Sequence, residues 1–273
     1  MSRIATTFST LRANGETALI PFFTAGDPDL DLTADLVRAA VDAGADAIEL
    51  GVPFSDPMAD GPVLQRAAGR ALVGGTTLTG ILGLVSELRR DVTVPIILFG
   101  YYNPFFRYGV EAIARDAAAA GADGFLCVDL PPEEAGPLRT ASQASGLDLI
   151  YLLAPTTPAS RVRMIARHAS GFLYFVSVLG VTGGRSDLPH ELPGLVKRVR
   201  ALTDLPVGVG FGVQRPDQAA WIAGFADAVI VGSAIAALVE DGDRASAPAR
   251  IGGFVRHLRA ATRDGRQTRT GAS

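Results

Sequence analysis

The stretch ALIPFFTAGDPDLDLTADLVRAAVDAGADAIEL, residues 18–50, decides the fold. It begins with an apolar run at 18–23, continues with an amphipathic Ala- and Leu-rich run at 32–43, and closes with a second apolar run at 47–50. Short, nearly all-apolar runs are typical of strands covered on both faces, and the amphipathic run is typical of a surface helix. The stretch therefore predicts a β-α-β unit with parallel strands.

The same alternation continues outward along the chain. Further strands are expected at 95–100, 124–128, 149–153, 172–177, 206–210 and 228–231, with helical runs that include 78–90, 112–120, 161–168 and 195–202. A doubly wound sheet also alternates in this way, but eight strands without a glycine-rich turn after the first favour a barrel. The sequence predicts an α/β fold, a single (β/α)₈ TIM barrel spanning residues 1–273, because such barrels have about 250 residues.

Two helical runs lie outside this repeat. Residues 4–12 precede the first strand and are placed to plug the bottom of the barrel, and residues 251–263 form a C-terminal helix. The polar residues 264–273 are expected to be a flexible tail.

Composition narrows the class of protein. The formal net charge is −3, which does not indicate a nucleic-acid or anionic-membrane partner. Cys127 is the only cysteine, so an intrachain disulfide is impossible, and in an apolar run it is expected to be a core residue. No apolar run approaches the roughly 18 residues of a membrane span, and the N-terminus lacks a secretory pattern. We expect a cytoplasmic enzyme.

Two connections are longer than ordinary loops between a strand and a helix. They are 51–77, after the second strand, and 178–190, after the sixth. Long loops in a compact domain are often lids or binding loops, and the loops after the strands form the active-site face of this fold. We expect both to contribute to the site.

Glycines cluster after the last three strands. They are Gly183-Gly184, the run Gly208-Val209-Gly210-Phe211-Gly212, and Gly232-Ser233, which opens a helical run. Singly, each glycine is explained by a tight turn, but backbone N–H groups and a helix N-terminus together suit an anion. Barrels often bind phosphate at these loops, so a phosphate site is predicted there, whereas GxGxG late in the chain is a poor dinucleotide motif.

Two carboxyl groups lie in or shortly after the second strand. Glu49 interrupts an apolar strand near its end, where a buried carboxyl is costly unless it is paired or protonated. A pairing with an arginine would explain it structurally, but its strand-end position favours catalysis. Asp60 precedes Gly61-Pro62, so capping a helix is an equally good explanation for it.

Other kinds of catalysis that this fold supports need side chains that this sequence does not provide at suitable positions. The only lysine, Lys197, lies in a helical run and would point away from the barrel mouth, which argues against a Schiff base. The three histidines, His168, His190 and His257, lie outside the strands and are scattered, so neither a metal site nor a catalytic triad is expected. We expect acid–base catalysis by carboxyl groups, with no metal and no cofactor.

At this point the sequence resembles the tryptophan synthase alpha chain family over nearly its whole length. The most specific match is ELGVPFSDPMADGP, Glu49–Pro62. The other matching motifs, in chain order, are PFFTAGDP at 21–28, YYNP at 101–104, VDLP at 128–131, GVTGGR at 180–185, GVGFGV at 208–213 and ADAVIVGSA at 226–234. The resemblance implies a lyase that cleaves indole-3-glycerol phosphate to indole and glyceraldehyde 3-phosphate by a retro-aldol reaction.

The resemblance also implies roles for individual residues. Glu49 would perform the acid–base step, Asp60 would stabilise the cationic indole ring through its N–H, and Tyr174 matches an active-site tyrosine. The residues that match the substrate pocket are Phe22, Phe99, Leu126, Val128, Leu152, Tyr174, Thr182, Gly183 and Phe211. The residues that match the phosphate cradle are Gly183, Gly210, Gly212, Gly232 and Ser233.

A partner is implied as well. Asp56, Pro57 and Asn103 match positions that face a beta subunit in the family, within an α₂β₂ tetramer. Val178 departs from the polar or basic residue that many relatives carry in the sixth loop. Three alternatives stay open: a stand-alone lyase that needs no beta subunit, another phosphosugar enzyme such as an isomerase, and an inactive subunit that only activates a partner.

Overall fold

The computed structural model describes residues 1–176, 189–210 and 212–270, and the side chains of all of these except 266–270. Within that range the eight parallel strands close into a barrel in which sequential strands are neighbours and the last pairs with the first. The strands are β1 (Ala18–Thr24), β2 (Ile48–Gly51), β3 (Ile96–Gly100), β4 (Gly124–Cys127), β5 (Asp148–Leu153), β6 (Leu173–Val176), β7 (Val207–Gly210) and β8 (Ala228–Val231). The predicted barrel is confirmed.

Helices surround the strands. In chain order they are α1 (Arg3–Ala13), α2 (Leu30–Asp42), α3 (Pro62–Val73), α4 (Leu78–Leu88), α5 (Tyr102–Tyr108), α6 (Val110–Ala120), α7 (Gly136–Ala144), α8 (Ala159–His168), α9 (Leu192–Arg200), α10 (Pro216–Ala223), α11 (Ser233–Glu240) and α12 (Ala247–Thr270). Among the described residues no single helix is long and apolar enough to cross a membrane. Helices α3 and α4, which are bent by 96° relative to each other, reach the length and composition of a membrane span only when they are counted together.

The side chains of each strand alternate between two cores. One core lies between strands and helices and includes buried Cys127, as the sequence predicts. The other fills the barrel interior with side chains such as Ile20, Ile97, Leu126 and Ile150. Because Glu49 shares the register of Phe22 and Ile97 on its two neighbouring strands, it belongs to the interior side of β2.

The bottom of the barrel is closed by α1, as the sequence predicts. Ile4, Phe8 and Leu11 pack with the interior core, and the rings of Phe8 and Phe172 lie 5.4 Å apart between centroids. Residues at this end of a barrel generally serve stability, so the chemistry is left to the opposite end.

Three aspartates that precede strands also connect neighbouring strands at this end of the barrel. Asp46, Asp123 and Asp227 each follow an alanine, and each accepts a hydrogen bond from a backbone N–H of the neighbouring strand. Asp46 also pairs with Arg259 of α12 at 2.9 Å, which fixes the last helix to the barrel. That helix extends through Thr270, beyond the predicted end at 263; flexibility of residues 264–273 stays a prediction.

The connection 51–77 is not a continuous loop, which corrects the sequence interpretation. Gly51 belongs to β2, and α3 occupies twelve residues of the connection. Gly61-Pro62 resembles a turn, but Pro62 is the first helical residue, where its missing N–H costs nothing and its fixed φ suits the helix. The loop residues of the connection are therefore 52–61, before α3, and the short turn 74–77, after it.

Candidate active site

A cavity lies at the ends of the strands, on the side where the chain leaves them; the space between its atoms is about 450 Å³, part of which is open to solvent. It brings together side chains from β1, β2, β3, β6 and β8 with residues of the loops that follow β2, β7 and β8. Its lining residues are Phe22, Glu49, Asp60, Leu64, Phe99, Tyr174, Gly212, Val213, Ile230, Gly232 and Ser233.

Glu49 lies on the floor of this cavity. Its side chain is 0% exposed, and neither carboxyl oxygen has a hydrogen-bond partner among the described residues. Burial without compensating partners raises the pKa of Glu49 to about 8, since the charged form loses its hydration. The pairing with an arginine that would have explained Glu49 structurally is not formed within the described part of the chain. Glu49 therefore holds a proton at neutral pH.

Three aromatic rings form the apolar wall. The rings of Phe22 and Phe99 meet edge to face with centroids 5.1 Å apart, and Tyr174 follows at 6.4 Å from Phe99. A Cβ at Gly51 would overlap the ring of Phe22, so the glycine after Glu49-Leu50 is what leaves space for this ring. The arrangement offers a flat aromatic ligand rings to stack and pack against.

Tyr174 is fully embedded beside the carboxyl group. Burial, and secondarily the charge of Glu49, raise the pKa of the Tyr174 hydroxyl well above its ordinary value, so the hydroxyl stays protonated. A Cβ at Gly210 would overlap this hydroxyl. Gly210, which matches the phosphate cradle, therefore also provides the space that Tyr174 occupies.

Asp60 is held by Tyr101 at the cavity's upper edge. The Tyr101 hydroxyl donates to Oδ2 of Asp60 at 3.2 Å and accepts the backbone N–H of Ala59 at 2.8 Å. Burial raises the pKa of Asp60 to about 6, although the hydrogen bond from Tyr101 partly opposes the shift. Helix capping by Asp60 is wrong, because the N-cap of α3 is Gly61 and no side chain caps it.

The other end of the cavity is built from backbone. Gly232 is the N-cap of α11, and no side chain caps this helix either, so its first N–H groups are available near Gly232 and Ser233. Gly212 has φ +85°, a conformation that favours glycine. With the positive end of the helix dipole, these groups are suited to hold an anion.

The remaining predicted residues divide into three sets. Leu126 lies fully buried in the barrel interior beneath the cavity, whereas Val128 and Leu152 line a neighbouring, more open cavity. Asp56 and Asn103 are exposed and Pro57 is half-buried, all in segments that follow β2 or β3. Thr182, Gly183 and Phe211 lie outside the described residues, as do Val178 and the motif at 180–185.

The sequence interpretation missed four residues at the site. Leu64, Val213 and Ile230 line the cavity, and Tyr101 holds Asp60. Tyr101 lies in the YYNP motif directly after β3, a position that could have identified it. Leu64 had no such signal, because its segment was interpreted as loop.

Lys197 and the three histidines are not among the described residues that line the cavity. Lys197 is exposed on α9, as predicted. Within the described ranges, no three His, Cys, Asp or Glu side chains are grouped closely enough to hold a metal ion.

Comparisons with known proteins identify the family. The family profile described as Tryptophan synthase alpha chain matches residues 8–262. The chain is 54% identical over 259 residues to the tryptophan synthase alpha chain of Geobacter sp. strain M21, covering 95% of this chain and 97% of the relative. It is 50% identical to that of Roseiflexus castenholzii, covering 95% of this chain and all of the relative.

Solved structures show the same likeness. Tryptophan synthase subunit alpha from Legionella pneumophila str. Paris superposes with a TM-score of 0.89 at 41% identity, covering 97% of this chain and 99% of that one. A chain of Mycobacterium tuberculosis tryptophan synthase superposes with a TM-score of 0.88 at 41% identity, covering 96% and 98%. The chain belongs to the tryptophan synthase alpha chain family.

Proposed function

We propose that the cavity between Glu49 and the N-terminus of α11 is where this lyase cleaves indole-3-glycerol phosphate to indole and D-glyceraldehyde 3-phosphate. The observation that carries the proposal is Glu49: a carboxyl group that is fully buried, without a described partner, in an aromatic-lined cavity whose far end suits an anion. That combination is costly for the fold and is useful for acid–base catalysis on a substrate with an apolar ring and an anionic end.

Glu49 carries out both proton transfers. In its protonated form it donates its proton to C3 of the indole ring, which makes the ring cationic and able to accept an electron pair. The resulting carboxylate then takes the proton of the adjacent side-chain hydroxyl. The bond between C3 and the side chain breaks, its electron pair restores the aromatic indole, and the hydroxyl carbon becomes the aldehyde of glyceraldehyde 3-phosphate. Glu49 ends protonated, ready for another turnover.

Asp60 stabilises the cationic ring. Its carboxylate accepts a hydrogen bond from the indole N–H, and this interaction strengthens as positive charge develops on the ring. Because the pKa of Asp60 is raised only to about 6, it is mostly ionised at neutral pH while Glu49 is protonated. Two carboxyl groups in one cavity therefore have opposite protonation states and opposite roles.

The substrate's two ends are bound differently. The indole ring packs against Phe22 and Phe99, and the phosphate lies at Gly232, Ser233 and Gly212. Leu126, Val128 and Leu152 do not line this cavity, so they would support the indole-binding pocket from behind its lining residues. Thr182, Gly183 and Phe211 lie outside the described residues; their match with the family's pocket residues implies that they contact the substrate as well.

The comparisons do not favour the alternatives. The match to alpha chains over 95% of the sequence argues against another phosphosugar enzyme such as an isomerase. A stand-alone lyase would have the same active-site residues, and its rate without a beta subunit would distinguish it. An inactive activating subunit would have no need of the uncompensated Glu49.

A beta subunit is the partner that the family implies. Asp56, Pro57 and Asn103 would face it across the barrel mouth, in an α₂β₂ tetramer that receives indole directly. A cytoplasmic location, and the absence of a cofactor in this chain, stay predictions.

Incubating the purified chain with indole-3-glycerol phosphate, with and without a tryptophan synthase beta subunit, tests the proposal. Equimolar indole and glyceraldehyde 3-phosphate are expected in both reactions. Absence of indole from both reactions would contradict the proposal. Formation of an isomerised phosphate compound instead would favour the alternative of a phosphosugar isomerase on the same barrel.

A further inference from the structure

Four charged side chains connect α3 to α11 and to the loop after β1. Arg70 donates through Nε and Nη2 to the two oxygens of Asp27, at 2.7 and 2.8 Å, and through Nη1 to Glu240 at 2.8 Å. Arg66 donates through Nε and Nη2 to Glu240, both at 2.7 Å. We call Asp27, Arg70, Glu240 and Arg66 the α3–α11 network.

The geometry of the network is more restrictive than that of an ordinary surface ion pair. Two of its contacts are bidentate, which fixes the direction as well as the separation of the partners. Asp27 is only 4% exposed, whereas Arg66 is 54% exposed, so the network extends from the barrel wall to the surface. The exposed Arg66 contributes little stability by its pairing, whereas removing Arg70 would leave the buried Asp27 carboxylate unpaired and lower stability. A role in alignment must therefore be measured per folded molecule.

Both helices in the network begin at the cavity. Asp60 lies two residues before α3, and Leu64 of α3 lines the cavity; α11 begins at Ser233, beside the proposed phosphate position. Arg66 and Arg70 lie about 6 and 12 Å along α3 from its start, and Glu240 lies about 10 Å along α11, at about 1.5 Å per residue. The network therefore joins the helices at a similar distance from the two ends of the substrate.

The loop after β1 anchors the far end of α3. A Cβ at Gly26 would overlap the side chain of Thr76, and a Cβ at Gly74 would stand 3.0 Å from the carbonyl oxygen of Pro28. This close packing leaves α3 little freedom where it meets Asp27. The contacts made by the rest of α3 therefore determine the position of its first turn at the cavity, and with it the position of Asp60.

We propose that Arg70 is a positioning residue: through Asp27 and Glu240 it holds α3 and α11 in one alignment, so that Asp60 meets the indole N–H when the phosphate is bound at α11. This inference rests on the proposed function. The spacing between the two groups must match a substrate in which a short glycerol chain joins the indole ring to the phosphate, and a misplacement of about 1 Å can cost about a hundredfold in rate.

The test compares Arg70→Gln and Glu240→Gln with Arg38→Gln. Arg38 is a matched control, because it is 31% exposed against 32% for Arg70 and also joins two carboxylates, Glu87 and Asp91, but it lies away from the cavity. For each variant, kcat per folded molecule and the Kd for glycerol 3-phosphate are measured. Both network variants are expected to lose about tenfold or more in kcat, with Kd within a few-fold of wild type, while Arg38→Gln loses neither.

A double-variant comparison separates alignment from simple destabilisation. Once Asp60→Asn has removed the group to be positioned, adding Arg70→Gln is expected to cost nothing further in kcat. An equal loss in both backgrounds, or no loss of kcat per folded molecule in Arg70→Gln, would overturn the inference.

Hydrogen exchange gives a second measurement that needs no turnover. Saturating glycerol 3-phosphate is expected to slow exchange of the backbone amides of residues 53–61 in wild type and Arg38→Gln, but not in Arg70→Gln. Equal slowing of exchange in wild type, Arg38→Gln and Arg70→Gln would contradict this inference but not the proposed function. If wild type neither binds glycerol 3-phosphate nor releases indole, the proposed function fails instead.

Discussion

At the scale of single residues, burial separates the two carboxyl groups of the cavity. Glu49, without a described partner, has a pKa of about 8, and Asp60, with the Tyr101 hydroxyl beside it, has a pKa of about 6. A strand-end Glu in an apolar run was sufficient to predict an unusual carboxyl group. The sequence could not show whether an arginine would neutralise it, because that depends on which side chains the barrel brings together.

These pKa values predict a bell-shaped pH dependence of kcat/KM. Activity should fall as pH rises through about 8, because Glu49 loses the proton that C3 needs, and fall as pH drops through about 6, because Asp60 becomes neutral. The second ionisation of a phosphate is also near 6, so Asp60→Asn serves as the control for the acid limb. A rate that stays constant up to pH 9 would contradict a protonated Glu49.

Asp60→Asn tests the second carboxyl group. We expect indole formation to fall by about a hundredfold or more, because the neutral amide stabilises the cationic ring poorly. The midpoint of thermal unfolding should change little, since α3 is capped at Gly61 and not by Asp60. A variant with lowered thermal stability and normal activity per folded molecule would return Asp60 to a structural role.

At the scale of elements, the N-terminus of α11 should bind phosphate through its backbone. Gly232→Val should raise the Kd for glycerol 3-phosphate at least about tenfold, because a side chain there would press against Phe22 and stand in the anion's place. Ser233→Ala should stay within a few-fold. Gly253→Val is the control, because a Cβ at Gly253 of α12 meets nothing within 4 Å. Equal, unchanged affinities in all three would place the phosphate elsewhere.

The elements predicted correctly from sequence are those with long or strongly apolar patterns. All eight strands and the plugging helix α1 were predicted, with boundaries differing by a residue or two. Helix α3 was not predicted as an element, although a helix beginning at Pro62 was weighed, because the whole connection 51–77 was interpreted as a loop. Helix α5 was not predicted, because YNPFFRY is short and contains a proline. Whether a short segment with glycine or proline forms a helix or a turn depends on the tertiary packing around it.

The same limit applies to the site. Phe22, Glu49, Phe99 and Tyr174 were predicted together and lie together, because interior positions at strand ends converge in a barrel. Val128 and Leu152 are also at strand ends, but they line the neighbouring cavity. Which interior residues share one cavity depends on the loops above them, and those are not specified by strand periodicity.

At the scale of the whole molecule, the barrel mouth carries the exposed Asp56 and Asn103 beside the cavity. A beta subunit docked there would cover Asp60's loop and exclude water, and it would activate the chain only by binding the conformation that is competent for cleavage more tightly than others.

Adding a beta subunit should therefore raise the indole-forming rate, on the order of tenfold. Asp56→Ala should reduce this activation more than it reduces the rate of the isolated chain, as measured by titrating each with the beta subunit. If the isolated chain is already fast and the beta subunit changes nothing, the stand-alone lyase is correct.

The most direct test of the account is indole release by Glu49→Gln. The amide keeps the size of the side chain and removes its proton transfer, and the buried oxygens have no described partner to lose, so the barrel should stay folded. The account predicts a fall of about a hundredfold or more in the rate of indole formation, with glycerol 3-phosphate binding preserved. A rate within a few-fold of wild type would contradict it.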